Sequence, residues 1–278
     1  MHETLIILGS GGWFPAFGRQ TASALLRDGE SAVMIDAGTG VGRLIERPAL
    51  LDGIQRLDIL LTHFHLDHVA GLAYLPALGV CEQTTVWGPG RLLYGAPTSD
   101  VLARVSNEPF HPVPLEAQEI DVRDLPPDEL ELPGTRVELR RQERHSAPSL
   151  GLRFDDTLAW VTDTAYDKGS AAFAAGCRML AHEAWFPHAR PRNADIHCSS
   201  AQAGQIAEAA GIDRLLLIHL PPFDALQHEL LLEAQAQVPR ALLGDDGADV
   251  SALIAPETSA ERPPSAGDAT PAPAPARR

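Results

Sequence analysis

Three histidines and an aspartate crowd into one short segment, LTHFHLDHVAGL, at residues 60–71. They are His63, His65, Asp67 and His68. The apolar strand segment RLDIL precedes them, and a buried strand loses free energy when unpaired polar side chains are desolvated. Residues two apart on a strand end point the same way, so the first two imidazoles can converge on one ion. The segment therefore predicts a metal site, with an exposed polar loop as the alternative.

Further polar side chains stand where other apolar strand segments end. His145 lies between TRVELRRQ and SLGLRF, Asp163 ends TLAWVTD, and His219 ends RLLLIHL. Open sheets place their sites at such strand ends. Each residue alone fits an ordinary loop, but the ordered set behind the histidine cluster predicts two metal positions. Imidazole and carboxylate suit divalent ions, with zinc as the default and manganese or iron compatible with the same ligands.

The charge of the chain limits its partners. Its 22 basic and 37 acidic residues give a net charge of −15, which repels polyanions and argues against a large nucleic-acid footprint. A small anionic or ester substrate at a local positive site stays compatible. No segment approaches the roughly 20 apolar residues that span a membrane. The three cysteines form no C-x-x-C pair, which favours a reducing cytoplasm.

Strand and helix patterns alternate in two similar halves of the chain. Such alternation favours a sandwich of two sheets flanked by helices. We predict one hydrolase domain over residues 1–250 and a disordered Pro/Ala-rich tail over 251–278. The proline-interrupted residues 96–145 are predicted to be partly irregular and to carry a lid, with substrate choice set between about 85 and 145.

The order and spacing of these residues, across roughly residues 4–245, resemble the metallo-β-lactamase fold superfamily. The resemblance implies an α/β fold, an αββα sandwich of two mixed β-sheets flanked by helices, with a two-metal site. A hydroxide bridging two zinc ions is a nucleophile at neutral pH. Related folds often dimerise, so we also expect a homodimer. In the superfamily pattern the first metal is held by His63, His65 and His145, the second by Asp67, His68 and His219, with Asp163 bridging both.

A second segment is similar to the ribonuclease Z branch of that superfamily. HEAWF at 182–186 is followed by HCSS at 197–200 and then by a helix into the last ligand strand. The resemblance implies that His197 is the general acid that protonates the leaving alkoxide and that Glu183 orients it. Asp67 would join the same proton relay while it ligates metal. This arrangement fits phosphodiester cleavage, whose leaving oxygen needs a proton or a cation.

The sequence departs from that branch at two places. Cys198 stands where the branch more often has Ser or Thr, and the short interval 146–162 leaves no room for the long basic arm of bacterial tail-processing enzymes. Together with the negative charge, this argues against a pre-tRNA substrate. We therefore favour a small phosphodiester or cyclic phosphate, as in the armless phosphoribosyl cyclic phosphodiesterases of the same fold.

Several residues also have simpler interpretations. His197 could cap the helix that follows it, and Glu183 could be a surface acid. The glycines of LGSGG favour a tight turn over a phosphate cradle, and Arg19 could either pair with a phosphate or be solvated. Two other functions stay open: a carboxylic-ester hydrolase (lactonase, thioesterase or β-lactam hydrolase) on the same two-metal site, and a non-catalytic binder that kept the fold.

Overall fold

The computed structural model describes residues 4–79, 81–111 and 113–256. In its first sheet the strands follow one another in chain order, antiparallel from β1 to β3 and parallel from β3 to β6. These strands are β1 (Thr4–Gly9), β2 (Ser23–Asp28), β3 (Ser31–Ile35), β4 (Arg56–Leu60), β5 (Gln83–Gly88) and β6 (Asp121–Asp124).

The second sheet mirrors the first, with the order β13-β12-β11-β10-β9-β8-β7. Its first strands in the chain pair antiparallel, and those from β10 onward pair parallel. Its strands are β7 (Glu129–Leu132), β8 (Thr135–Gln142), β9 (Ser149–Phe154), β10 (Leu158–Val161), β11 (Met179–Glu183), β12 (Leu215–Ile218) and β13 (Leu242–Leu243).

Helices cover the outer faces of both sheets. The α-helices are α1 (Gly42–Glu46), α2 (Leu66–Val69), α3 (Thr98–Ser106), α4 (Gly169–Ala174), α5 (Ser200–Ala210), α6 (Gln227–Gln235) and α7 (Ser251–Ile254). Short 3-10 segments (Thr39–Val41, Pro48–Leu51, Ala70–Ala77, Leu115–Gln118 and Asp224–Leu226) and one π turn (Gly90–Tyr94) complete the described helices. In this part of the chain no helix is long and apolar enough to cross a bilayer.

Side chains alternate between the two faces of each strand, and this alternation produces three apolar layers. In β1, Leu5 and Ile7 belong to the cluster between the sheets, whereas Ile6 and Leu8 belong to the cluster beneath α1 to α3. Successive side chains of a strand point to opposite faces, so a strand that is apolar throughout is buried on both sides. The predicted αββα sandwich of two mixed sheets is confirmed.

The predicted boundary at residue 250 is wrong. Residues 251–256 are part of the packed body: Ser251 Oγ accepts a hydrogen bond of 3.0 Å from the N–H of Leu5, and Ile254 is buried between the sheets. Arg178 also donates to the carbonyl of Ile254. The prediction failed here because the residues that follow are polar, although Ile254 itself is apolar and packs between the sheets. The rest of the predicted tail, 257–278, lies outside the described residues.

The prediction of a partly irregular region with short strands over 96–145 is confirmed in part: β8 is the expected strand TRVELRRQ, and residues 107–111 belong to no helix or strand. The lid stays a prediction. This interval contains α3. It also supplies β6 to the first sheet and both β7 and β8 to the second. β6 and β7 lie at the edges of their sheets, where short strands tolerate polar residues and nearby prolines.

We predict that Ile254→Ala lowers the free energy of unfolding by about 2–5 kcal/mol, since it empties a packed position between the sheets. Ile254 is 1% exposed, whereas Leu232 on α6 is 53% exposed, so Leu232→Ala is the matched control and should change stability by no more than about 0.5 kcal/mol. Urea unfolding of both variants measures the difference. Equal, small effects would show that α7 does not contribute to the core.

Candidate metal centre

The predicted ligands lie where strands end at one edge of the sandwich. His63 follows β4, Asp163 follows β10, and His219 follows β12 directly. His65 precedes α2, which carries the aspartate and the last histidine of the segment. Parallel strands bring their carboxyl ends to the same edge, so residues distant in sequence meet there.

The first cluster joins His63, His65 and His145 to Asp163, with one potential ligand atom of each lying within 4.8 Å of all the others. Nε2 of His145 lies 3.2 Å from Nδ1 of His65 and 3.3 Å from Oδ1 of Asp163. The Nδ1–H of His145 donates to the carbonyl of Ile196 at 3.0 Å, which leaves Nε2 facing the cluster.

The second cluster joins Asp67, His68 and His219 within the same 4.8 Å limit. Nε2 of His219 lies 3.3 Å from Oδ2 of Asp67. Asp163 reaches this cluster too, with Oδ2 at 3.1 Å from Nε2 of His68 and Oδ1 at 3.4 Å from Nε2 of His219. One buried carboxylate therefore lies between the two groups.

The donor atoms fit a divalent ion. Nε2 of His63 and Nε2 of His68 are buried without a hydrogen-bond partner, although an orphaned buried donor or acceptor costs free energy. Ligand atoms around tetrahedral zinc stand roughly 3.3 Å apart, which matches the spacings above. Burial lowers the pKa of His63 well below its ordinary value, so this imidazole is neutral and has a lone pair to offer.

Carboxylates give this edge a negative field. Burial lowers the pKa of His68, but Asp36, Asp163 and Asp67 outweigh burial and hold it well above its ordinary value. Burial raises the pKa of Asp67, but His68 and His219 outweigh it and hold it well below the ordinary range. A field that stabilises an imidazolium also stabilises a bound cation.

Asp36, which the sequence analysis missed as a site residue, orients the second cluster. Its carboxylate accepts from the Nδ1–H of His68 at 2.8 Å and from the backbone N–H of Thr62 at 2.7 Å. Such an acceptor fixes which ring nitrogen is free for a metal. The signal was present, because Asp36 follows a buried strand just as Asp163 does.

Backbone strain is concentrated at the same edge. Asp36, Asp163 and His219 have φ values of 56°, 52° and 48°. Non-glycine residues rarely adopt this left-handed region, and they persist there only where surrounding contacts hold them. The strain is thus accommodated by the interactions that position the ligands.

The LGSGG segment holds the ligands rather than cradling a phosphate. A Cβ on Gly12 would lie 2.4 Å from Cε1 of His219, so only glycine permits this approach. The next residue, Trp13, donates its backbone N–H to Oδ2 of Asp67 at 2.6 Å. The predicted tight turn therefore also positions two candidate metal ligands, His219 and Asp67.

Arg19 neither faces a phosphate nor is solvated, so both of its sequence interpretations are wrong. Its guanidinium is buried and donates to Ser10 Oγ at 2.5 Å, to Gln227 Oε1 at 2.9 Å and to Asp245 Oδ1 at 2.9 Å. These bonds tie the glycine loop to the segment after β13.

Glu183 and His197 form a buried pair beside the clusters. The carboxylate of Glu183 accepts from Nδ1 of His197 at 2.9 Å, and its other oxygen accepts from the N–H of Thr164. The ring of His197 stacks on Trp185 with centroids 4.7 Å apart. Ser199, not His197, caps α5 through a capping box, so the helix-cap and surface-acid interpretations are wrong.

A cavity of about 510 Å³ opens onto both clusters and onto His197. Its walls include aromatic and aliphatic side chains, and among the described residues that line it there is no lysine, no arginine and none from 85 to 144. Of the interval 85–145, His145 is the one described residue that lines the cavity, and the control of substrate choice by this interval stays a prediction. The lining residues are Trp13, Phe14, His65, Leu66, Asp67, His145, Ser146, Asp163, Trp185, Asn193, Ile196, His197 and His219.

Comparison with known proteins gives the family. The model of the β-lactamase superfamily domain matches residues 31–220. The chain belongs to the β-lactamase superfamily. An uncharacterized protein of Mycobacterium tuberculosis is 30% identical over 217 residues, covering 74% of this chain and 75% of that protein. A ribonuclease Z of Methanopyrus kandleri is 26% identical over 262 residues, covering 77% of this chain and 85% of that protein.

Solved structures share the superfamily fold. The metallo-β-lactamase fold protein YhfI from Bacillus subtilis has a TM-score of 0.74 at 20% identity, covering 90% of this chain and 99% of that one. A diphosphatase from the PhnP family has a TM-score of 0.67 at 20% identity, covering 89% of this chain and 96% of that one. Together with the His/Asp clusters, the superfamily supports a metal-dependent hydrolase that binds divalent ions.

We predict that Gly12→Ala in this superfamily member lowers metal affinity at least tenfold, because the new Cβ displaces His219. Gly42→Ala is the matched control, since its Cβ would meet the Tyr74 ring at an ordinary 3.9 Å. Metal per chain after dialysis against a graded chelator measures the effect. Wild-type retention in Gly12→Ala would contradict the role assigned to the glycine loop.

Proposed function

We propose that the chain is a phosphodiesterase that hydrolyses a small phosphodiester or cyclic phosphate at a site for two divalent ions. The observation that carries this proposal is the Glu183–His197 pair, whose imidazole lines the same cavity as both ligand clusters. A proton donor beside a metal site suits a leaving alkoxide, whose departure needs a proton.

The seven predicted ligands are proposed to hold these ions in two groups. The first group is His63, His65 and His145, the second is Asp67, His68 and His219, and Asp163 contacts both. We propose zinc, with manganese or iron as alternatives. When bound, such ions polarise a phosphoryl oxygen and lower the pKa of a nearby water.

His197 is proposed to give its proton to the leaving oxygen. Burial lowers its pKa, but the Glu183 carboxylate and its hydrogen bond outweigh burial and raise the pKa above its ordinary value. Glu183 holds Nδ1, which leaves the other ring nitrogen for the cavity. We also propose that Asp67 joins the same relay while it ligates metal, as an ionised hydrogen-bond acceptor.

The size and charge of the site favour a small substrate. A cavity of about 510 Å³ is in the range of small-molecule sites, and the net charge of −15 disfavours a large nucleic acid. The named activities of relatives, a ribonuclease and a diphosphatase, support chemistry at phosphorus. A homodimer and a cytoplasmic location stay predictions.

Metal-dependent hydrolysis of bis(p-nitrophenyl) phosphate, with a chelated sample as control, tests this function. We predict that His197→Ala lowers turnover of a 2′,3′-cyclic nucleotide about 10²–10⁴-fold, because its alkoxide leaving group needs a proton. Turnover of the nitrophenyl ester should fall far less, since nitrophenolate leaves unaided. His228→Ala, which alters an exposed histidine on α6, is the matched control.

Assays of the metal-loaded protein on phosphodiesters and on carboxylic esters distinguish the alternative function, a carboxylic-ester hydrolase. A carboxylic-ester hydrolase would cleave lactones or thioesters and would show no phosphodiester turnover with both metals bound. If His197→Ala reduced turnover of the cyclic nucleotide and of the nitrophenyl ester by the same factor, His197 would not be the general acid.

A pH profile tests Glu183 through its effect on His197. A general acid works while protonated, so cyclic-nucleotide turnover is present below the pKa of His197 and is lost as pH rises through it. Glu183→Gln removes the charge that raises this pKa and leaves the burial that lowers it. We predict that the alkaline limb of kcat moves to lower pH in this variant. An unmoved limb would show that Glu183 does not set the pKa.

A further inference from the structure

We propose that Trp13 and Phe14 form an aromatic step that binds a planar aromatic ring of the substrate. The ring belongs to the ester group that stays on phosphorus while the other group leaves. The inference rests on the proposed function and adds the substrate class: a small phosphodiester with an aromatic ring near the phosphorus atom.

The two side chains are exposed beside the metal site. Trp13 is 64% exposed and Phe14 is 43% exposed, and both line the cavity that contains the ligand clusters. Their rings lie edge to face, with centroids 5.0 Å apart at an interplanar angle of 61°. Aromatic side chains contribute most when buried, so two solvent-facing rings here offer surface that the fold does not use.

The backbone holds this step against the metal centre. Trp13 has a φ of 69°, a conformation that large side chains rarely adopt, and its N–H donates to Asp67 at 2.6 Å. Because Asp67 belongs to the second ligand cluster, this hydrogen bond places the backbone of Trp13 in direct contact with a candidate metal ligand. A ring joined to phosphorus through two or three bonds can therefore contact the indole.

Over the described part of the chain, the rest of the cavity offers no charged side chain outside the ligand clusters and His197. Among its described lining residues neither lysine nor arginine is present to pair with a distant phosphate. Ile196 and Leu66 add apolar surface, and Trp185 is already packed against His197. Ser146 and Asn193 can hydrogen-bond a substrate group, but the exposed aromatic faces of Trp13 and Phe14 are the surface on which a planar ring can stack.

The test uses three phosphodiesters with the same p-nitrophenolate leaving group: the benzyl, cyclohexylmethyl and methyl esters. In each, water adds to phosphorus, the same P–O bond breaks and the same phenolate leaves, so differences report the retained group. We expect kcat/KM for the benzyl ester to exceed that for the methyl ester roughly tenfold, mainly through KM. The benzyl ester should also exceed the cyclohexylmethyl ester, which is equally apolar but not planar.

Variants locate the effect. Trp13→Ala and Phe14→Ala should each reduce the benzyl-to-methyl ratio, and the double variant should bring it close to one. The ratio is the readout because a general disturbance of Asp67 would lower both rates together. Phe17→Ala is the matched control: Phe17 is 66% exposed on the same loop but does not line the cavity, so the ratio and both rates should match the wild type.

Other outcomes overturn the inference. A cyclohexylmethyl ester as good as the benzyl ester would show apolar rather than aromatic recognition, and an unchanged ratio in the double variant would place the selectivity elsewhere. Turnover of all three esters at one rate would leave the proposed function standing without the aromatic step.

A binding measurement separates failure of the inference from failure of the proposed function. Calorimetric titration of benzylphosphonate and methylphosphonate into metal-loaded protein needs no turnover. If no ester is hydrolysed but benzylphosphonate binds about tenfold more tightly, with the preference lost in the double variant, the aromatic step is supported and the phosphodiesterase proposal fails. Equal binding of the two phosphonates overturns the aromatic step.

Discussion

The buried carboxylate of Asp163 is the contact that joins the two halves of this site. It follows β10 in the second sheet, yet it reaches His68, which the first sheet positions, and His219, which its own sheet supplies. A desolvated carboxylate is costly alone and is stabilised here by the imidazoles around it. The αββα sandwich can be seen as the scaffold that delivers ligands from both sheets to this one group.

The ligands are held by surrounding groups that lie outside the two clusters. Asp36 selects the ring nitrogen that His68 presents, Gly12 allows the loop to press on His219, and Trp13 holds Asp67 through its backbone. Several of these positions have left-handed backbone conformations. Such strain persists where surrounding contacts hold the backbone, as the hydrogen bonds of Asp36 and Trp13 do here.

The substrate side of the site is built differently from the metal side. Its walls come from the loop after β1, from the segment before α5, and from His145 and Ser146 in the turn between β8 and β9. The Glu183–His197 pair brings charge next to the apolar side chain of Ile196, and the stacked Trp185 packs against the imidazole. The loops therefore provide the substrate-facing side chains, while the strand ends of the sheets position the candidate metal ligands.

The sequence by itself determined the fold class and the seven candidate ligands, because apolar strands and polar strand ends repeat in a fixed order. It also indicated Glu183 and His197. Only the tertiary structure showed that Arg19 is internal, that Ile254 anchors residues beyond 250, and that Trp13 lines the cavity. These facts depend on contacts between residues more than 50 positions apart or on which face of a loop is exposed. Local patterns carry no record of either, since they describe neighbours along the chain and not across the sandwich.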